Sequence, residues 1–363
     1  MTRRRLLVLY AGLPGQQTYS YQLGWPRFFS RSPRFDCVMV DVADRQMAAL
    51  VQTFRAGWMR RVDAVVILHS VFSNACALRH RLFEFVRRMP QPKAYFITNE
   101  YKALPEKMAF SDRLGVALLV TMNPNPVAQA MYRERLGCAV ACLPSAGLDV
   151  ERFACTTQRS LRPIHLGYRA ADAPLYLGHT ERLQLAEYFQ ARTHEWKLTS
   201  DISLDPEARL DEAGWAAFLN QCQGQLGSEA GYDYFELTDA TRLAVNAHMS
   251  EHPDSNFDDI FERFFRHYPQ PVSARMISGR QVEAAATRTV QILFDGEYSG
   301  YLHPDEDYIP LRKDFSNADE AIAKFRDAGF CDRLTAHADD VVRSELTYEH
   351  LIGRFSDALT PLL

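Results

Sequence analysis

Residues 277–294 read ISGRQVEAAATRTVQILF, and the division of that stretch decides the fold. A Ser-Gly-Arg turn opens a short run whose only carboxylate is Glu283, and three alanines, Ala284 to Ala286, follow it. An apolar run, Val290 to Phe294, comes at once. The stretch divides into a short helix leading straight into a buried strand. That pattern belongs to an alternating α/β chain. The alanines let the helix approach the sheet closely, and an acid in its first turn is favoured by the helix dipole.

The same alternation runs outward in both directions. RLLVLYAGLPG (5–15), FDCVMVDV (35–42), DAVVILHS (63–70), KAYFITNE (93–100), VALLVTMN (116–123) and CAVACLP (138–144) are strand-length apolar runs separated by helical stretches. Continuous apolar strands with amphipathic helices between them predict a parallel sheet covered on both faces. Ligands of such sheets sit outside the carboxyl ends of the strands. Here those ends carry Gly12, Gly15, His69, Ser70, Asn99, Glu100 and Asn123. A second set begins near Ile164, with PIHLGYR (163–169), WKLTSDIS (196–203), GQLGSEAGYDYFEL (224–237) and TVQILF (289–294). The chain closes on helical periodicity, in DEAIAKFRDAG (319–329) and LTAHADDVVRSELTYEHLIGRFSDAL (334–359). The join, LPSAGLDVERFACTTQRSLRP (143–163), is rich in turn formers. Two α/β domains are therefore expected, about 1–150 and 151–340, with 341–363 as a terminal helical segment. They are expected to face each other across a cleft.

The totals narrow the class. The chain has 363 residues, enough for two cores, with 47% hydrophobic residues and a formal net charge of −4. No basic face stands out, so nucleic acid is not an expected partner. No apolar run approaches the roughly 20 residues that span a bilayer. The basic opening MTRRR leaves peripheral contact with anionic lipid open beside simple solvation. The seven cysteines include no C-x-x-C pair and read as reduced thiols, which suits a cytoplasmic location. No ligand spacing points to a metal.

At the join, LPSAGLDVERF (143–153) has the form P-x-x-G-x-D-x-x-x-F. It resembles the interdomain segment of glycosyltransferases of the "glycosyl transferases group 1" kind. LGYR, LGHTERLQL, SDIS, LGSEAGYDYFEL, the stretch ISGRQ to DFSN (277–317) and LTYEHLIGRF follow in an order similar to a subfamily related to CgeB-like proteins. The resemblance runs from about Leu143 to the C-terminus and is weak before it. It implies a GT-B fold: two facing Rossmann-like domains with an interdomain cleft. It also implies a nucleotide-sugar donor held mainly by the second domain, no cofactor and no bound metal. Tyr348 to Leu359 would be the helix that crosses back.

The resemblance assigns Glu283 to the donor's ribose hydroxyls, a task that suits a carboxylate because it accepts from two vicinal hydroxyls. Ser278, Gly279 and Arg280 form the turn whose amides suit a phosphate. The family more often has proline at the position of Gly279. Arg169 would clamp the pyrophosphate and offset charge on the leaving nucleotide; the other reading is an arginine closing its strand on a carboxylate. Arg182 reads as an exposed helix residue, with a second cation as the alternative. Glu229, in a glycine turn, would face the donor sugar, or cap a helix, or pair with Arg169. Tyr232, Tyr234 and Tyr308 read as packing residues. In the first domain, Gly12 and Gly15 resemble a loop near donor phosphate or acceptor, though an ordinary turn reads equally well. His69 and Glu100 are the candidates for a general base on the acceptor hydroxyl, each also readable as structural. The acceptor would be a glycan, a lipid-linked sugar or a small molecule. A non-catalytic CgeB-like protein with the same nucleotide cleft is the rival reading. A dinucleotide-dependent dehydrogenase lacks support, because YAGLPGQQ does not make G-x-G-x-x-G.

Overall fold

The computed structural model describes residues 3–12, 20–43, 62–269 and 272–363. The chain falls into two units. One comprises Met1–Ala146, Phe235–Arg242 and Tyr348–Leu363; the other comprises Gly147–Tyr234 and Leu243–Thr347.

In the first unit, β1 (Arg4–Tyr10), β2 (Phe35–Asp41), β3 (Ala64–Ile67), β4 (Lys93–Phe96), β5 (Val116–Thr121) and β6 (Ala139–Cys142) are all parallel, in the order β2-β1-β3-β4-β5-β6. Leu6 to Leu9 and Ala64 to Ile67 are buried without interruption, because helices cover both faces of the sheet. Among the described residues those helices are Ser20–Arg31, His80–Arg88, Leu104–Leu114, Pro126–Leu136 and Tyr348–Leu359. Local chemistry sets their ends. Asn125 caps the fourth through the Val127 amide at 2.9 Å, with Pro126 in the first turn. Gly115 and Gly137 stop two of them in the left-handed region, at φ 66° and 63°. The last helix packs on the first: Tyr348 sits edge-on to Trp25 and stacked on Phe28, while Phe355 meets Phe29.

Phe235–Arg242 is an excursion that the order of strand signals does not announce. Phe235 packs edge-on to Tyr132, and Asp239 accepts the Ala103 amide at 2.9 Å, holding that residue in its left-handed conformation. Lys107, buried beneath the same loop, donates to the carbonyls of Thr98, Asn99 and Lys102.

The second unit carries β7 (Ile164–Arg169), β8 (Ser200–Ser203), β9 (Cys222–Gly227), β10 (Val290–Phe294) and β11 (Ile309–Leu311), also all parallel, in the order β11-β10-β9-β7-β8. In each sheet the chain leaves its first strand to one side and returns to the other. This puts a topological switch point between β1 and β3 and another between β7 and β9. Gly279–Ala286 is the short helix expected before β10, and it enters that strand through Thr287 to Thr289. Arg162 ties the interdomain stretch to this unit. Its buried guanidinium donates to the carbonyls of Thr157, Leu219, Cys222 and Thr287 and to the Thr289 hydroxyl.

Two differences from the sequence reading have local causes. The helical periodicity over 334–359 is broken into Ala328–Glu345 and Tyr348–Leu359. The break falls where Leu148 donates its amide to Leu346 O and pairs with Thr347. Two further helices, Ala240–Glu251 and Phe257–Phe264, occupy the segment before residue 270. The second starts at a reciprocal cap between Asn256 and Asp259.

Candidate functional site

The β7/β9 switch point is where the Gly279–Ala286 helix begins. Gln281 holds the start in place: its Oε1 accepts from the Ser278 amide and hydroxyl at 3.0 and 2.5 Å, and its Nε2 donates to Ser228 O just beyond β9. Gln225, on β9, donates to Arg280 O at 3.4 Å. The turn of Ser278, Gly279 and Arg280 is thus fastened to the carboxyl end of the sheet.

Glu283 lies one turn in and is 3% exposed. Its Oε2 accepts the indole N–H of Trp215 at 2.7 Å. Trp215 comes from the Glu212–Gln221 helix, where it stacks on Phe218. Ala284 to Ala286 are buried, so the helix lies close against its neighbours. The carboxylate is therefore oriented before any ligand arrives.

Arg280 is half-buried, with its guanidinium over the Trp215 ring and a bond from Nη1 to Arg169 O. Its pKa lies below the usual arginine range, through burial first and the nearby charge of Arg182 second, with Arg209 adding to the effect. An arginine stays protonated regardless. Positive charge from Arg182, Arg209 and Arg280 gathers here, with Glu283 opposing it in part. Three loops supply it: the start of the Glu181–Arg192 helix, the loop after β8, and the Ser278 turn.

Arg169 is engaged elsewhere. Its Nη2 pairs with Asp201 Oδ2 at 2.7 Å, its Nη1 donates to Asp201 O, and its guanidinium lies over the Phe218 ring. The β7/β8 register sets Gly167 opposite Asp201, which brings that carboxylate within reach. Only the Arg169 carbonyl meets Arg280.

Glu229, half-buried beyond β9, accepts the Tyr298 amide at 2.8 Å through Oε1. Burial raises its pKa, outweighing that bond. A Cβ at residue 296 would stand 2.6 Å from its Oε2, so a side chain there would displace the carboxylate. Beside it lies a charge network that the sequence reading missed. Arg275 binds Glu181 through two nitrogens at 2.9 and 3.1 Å and Asp233 at 2.6 and 3.0 Å; Lys313 reaches Glu181 at 2.8 Å. A short antiparallel pairing of Ala230 with Met276 carries it, and Gly231, at φ 102°, lets the Ala274 carbonyl pass. The His179 Nε2 lies 3.1 Å from Gly231 O, and burial, then Arg275, holds its pKa down to about 4. No spacing in the sequence signals this network, because its members come from four separate segments.

In the first unit, the Gly12 amide donates to Asp41 Oδ1 at 3.0 Å, and a Cβ there would collide with Asp41 Oδ2. Gly15 lies outside the described residues. His69 opens the one-turn helix after β3, and burial lowers its pKa to about 4. Glu100 is 2% exposed and accepts from Thr121 Oγ1 at 2.7 Å, Tyr132 OH at 2.6 Å and the Met122 amide at 3.0 Å. Burial still raises its pKa. Gly12, His69 and Glu100 thus share the carboxyl edge of the first sheet, with Glu100 already carrying three donors. Among the described residues no cluster of three His, Cys, Asp or Glu side chains could hold a metal ion, and no helix is long and apolar enough to cross a membrane.

No family model matches the chain, and no curated protein matches it in sequence. Solved structures do match in fold. Sucrose-phosphate synthase (tll1590) from Thermosynechococcus elongatus superposes with a TM-score of 0.53 at 11% identity, over 99% of both chains. Anabaena Alr3699/HepE in complex with UDP-glucose gives 0.53 at 9% identity over 99% of both, and the same protein with UDP gives 0.52 at 9% over 99% of this chain and 100% of that one. These are GT-B glycosyltransferases, and at such identities the likeness speaks for the fold. The chain has the α/β architecture of that class, with two Rossmann-like units, each built on a parallel sheet.

Proposed function

We propose that the protein is a glycosyltransferase that takes its sugar from a nucleotide diphosphate donor, in a subfamily related to the CgeB-like proteins. The carrying observation is a buried carboxylate, Glu283, held by Trp215 inside a helix start that also presents Arg280. A carboxylate accepts from both ribose hydroxyls, and the amides of Gly279 and Arg280 suit a phosphate. Arg280, with Arg182 near it, stabilises the diphosphate as it leaves, without need of a metal. Glu229 faces the sugar. His69, neutral at physiological pH, is the base for the acceptor hydroxyl. The acceptor is a glycan, a lipid-linked sugar or a small molecule. HepE, whose structures hold UDP and UDP-glucose, supports a uridine diphosphate sugar as the first donor to try.

A second reading is a non-catalytic nucleotide-binding protein of the same fold. The engagement of Arg169 by Asp201 and of Glu100 by three donors favours it. The test is a thermal-shift screen with UDP, GDP, dTDP and CDP, repeated on Glu283→Ala, followed by an assay for donor transfer or hydrolysis. A ligand at 100 times its Kd raises stability by roughly 2.7 kcal/mol. A shift that the variant loses, with turnover, supports the enzyme. A shift without turnover supports the second reading, and no shift in a folded sample removes both.

A further inference from the structure

The chain carries a net charge of −4, yet one helix of the first unit is strongly basic on its outer side. Arg79, His80, Arg81, Arg87 and Arg88 are exposed on and just before the His80–Arg88 helix, while Leu82, Phe83 and Val86 face inward. Glu84 is the one acid of the helix, and it pairs with Arg87 at 2.9 Å. Among the described residues no carboxylate pairs with Arg79, Arg81 or Arg88.

The placement runs against helix stability. Arg87 and Arg88 stand in the last turn, where the helix dipole favours cations. Arg79 and Arg81 stand at the opposite end, where it disfavours them, and no acidic residue occupies the first turn. Cations at both ends of one short helix are not explained by the helix itself. An external anionic surface explains both ends.

We propose that this face docks on an anionic lipid bilayer. The charges point outward from a single helix of nine residues, with half-buried Phe85 between them. A bilayer of anionic headgroups needs only like charges within a Debye length of its surface, about 8 Å at physiological salt. Nucleic acid asks for a longer stripe or a groove-matched element to neutralise successive phosphates. Of the terminal arginines, Arg4 and Arg5 pair with Asp63 and Asp36. The inference is independent of the nucleotide-sugar reading and stands or falls apart from it.

The experiment is co-sedimentation of the full chain with vesicles of phosphatidylcholine alone and with roughly a third phosphatidylglycerol. The chain should partition to the anionic vesicles only, and high salt should release it. At about fivefold per arginine, the Arg79→Gln/Arg81→Gln/Arg88→Gln variant should lose roughly a hundredfold in partition coefficient while keeping its melting temperature. An Arg3→Gln/Arg4→Gln variant should partition like the parent. Equal partition to neutral vesicles, or undiminished binding by the triple variant, would overturn the proposal. So would binding to duplex DNA or polyglutamate without binding to vesicles.

Discussion

The indole nitrogen of Trp215 stands 2.7 Å from Oε2 of Glu283, a bond between residues 68 positions apart that orients the one carboxylate of the Gly279–Ala286 helix. Removing the donor leaves a buried acceptor short of a partner, which costs about 1–3 kcal/mol and more for a charged group. Trp215→Phe should therefore lower the melting temperature and weaken nucleotide binding together. Glu283→Gln should keep the indole bond through its amide oxygen and hold stability near the parent. If Glu283 has the proposed role, the variant should still lose most of the thermal response to nucleotide, because the charge offered to the ribose hydroxyls is gone. A Glu283→Gln protein that responds like the parent would remove Glu283 from the donor site.

Arg169 and Arg280 should separate in opposite directions. Arg169 is committed to Asp201 and Phe218, a partly exposed pair plus a ring contact that contribute about 1–2 kcal/mol together. Arg169→Gln should show that loss in a urea unfolding curve and leave nucleotide affinity within a factor of about three. Arg280→Gln should raise the nucleotide Kd by roughly 10- to 100-fold, the equivalent of one charged hydrogen bond. Titration calorimetry on both variants decides; the reverse pattern would return the phosphate role to Arg169.

Gly24 and Tyr348 lock the last helix to the first. A Cβ at residue 24 would lie 2.0 Å from the Tyr348 hydroxyl and 2.1 Å from its ring. Alanine in a helix interior normally gains up to about 1 kcal/mol over glycine. Overpacking a well-filled contact costs about 1–3 kcal/mol, and Tyr348 is held between Trp25 and Phe28, so the cost should win. Gly24→Ala should lower the urea midpoint and expose the Tyr348–Leu359 helix to limited proteolysis. A stabilised variant would mean that the contact yields without cost.

The pH dependence follows from His69 and His179, whose pKa values fall to about 4 from an ordinary 6.5 through burial. Between those values the unfolded chain binds protons that the folded chain refuses. Stability from these groups is thus complete above pH 6.5 and is lost as pH falls toward 4. Each contributes at most about 3 kcal/mol. The raised pKa values of Glu100 and Glu229 tilt the other way, since their protonated forms favour the folded state as pH falls. Urea midpoints at pH 7 and pH 5 should drop toward acid, and His69→Asn or His179→Asn should flatten the drop. A slope unchanged in both variants would show that neither histidine is held neutral.

The site was legible in the sequence where its chemistry is local. The Ser278 turn, Arg280 and Glu283 fall within six residues, and a helix start brings them together by its own geometry. Arg169 and Glu100 were ambiguous for a definite reason. Their partners are Asp201 on a neighbouring strand, Thr121 at the end of another and Tyr132 on the helix after it, and tertiary packing, not spacing, brings them together. The network of Glu181, Asp233, Arg275 and Lys313 was invisible because its members come from four segments that only folding brings together.

By itself the sequence determined the fold class and most of the strands. Uninterrupted apolar runs of strand length such as 64–67, separated by helical stretches, read as strands of a parallel sheet covered on both faces, because burial and backbone hydrogen bonding act within a few residues. Only the tertiary structure decided which strands are neighbours, that Phe235–Arg242 packs with the first unit, and which charged side chains are already neutralised. Those outcomes depend on electrostatic and packing contacts a few ångströms long between residues tens of positions apart, and chain order does not specify such distances.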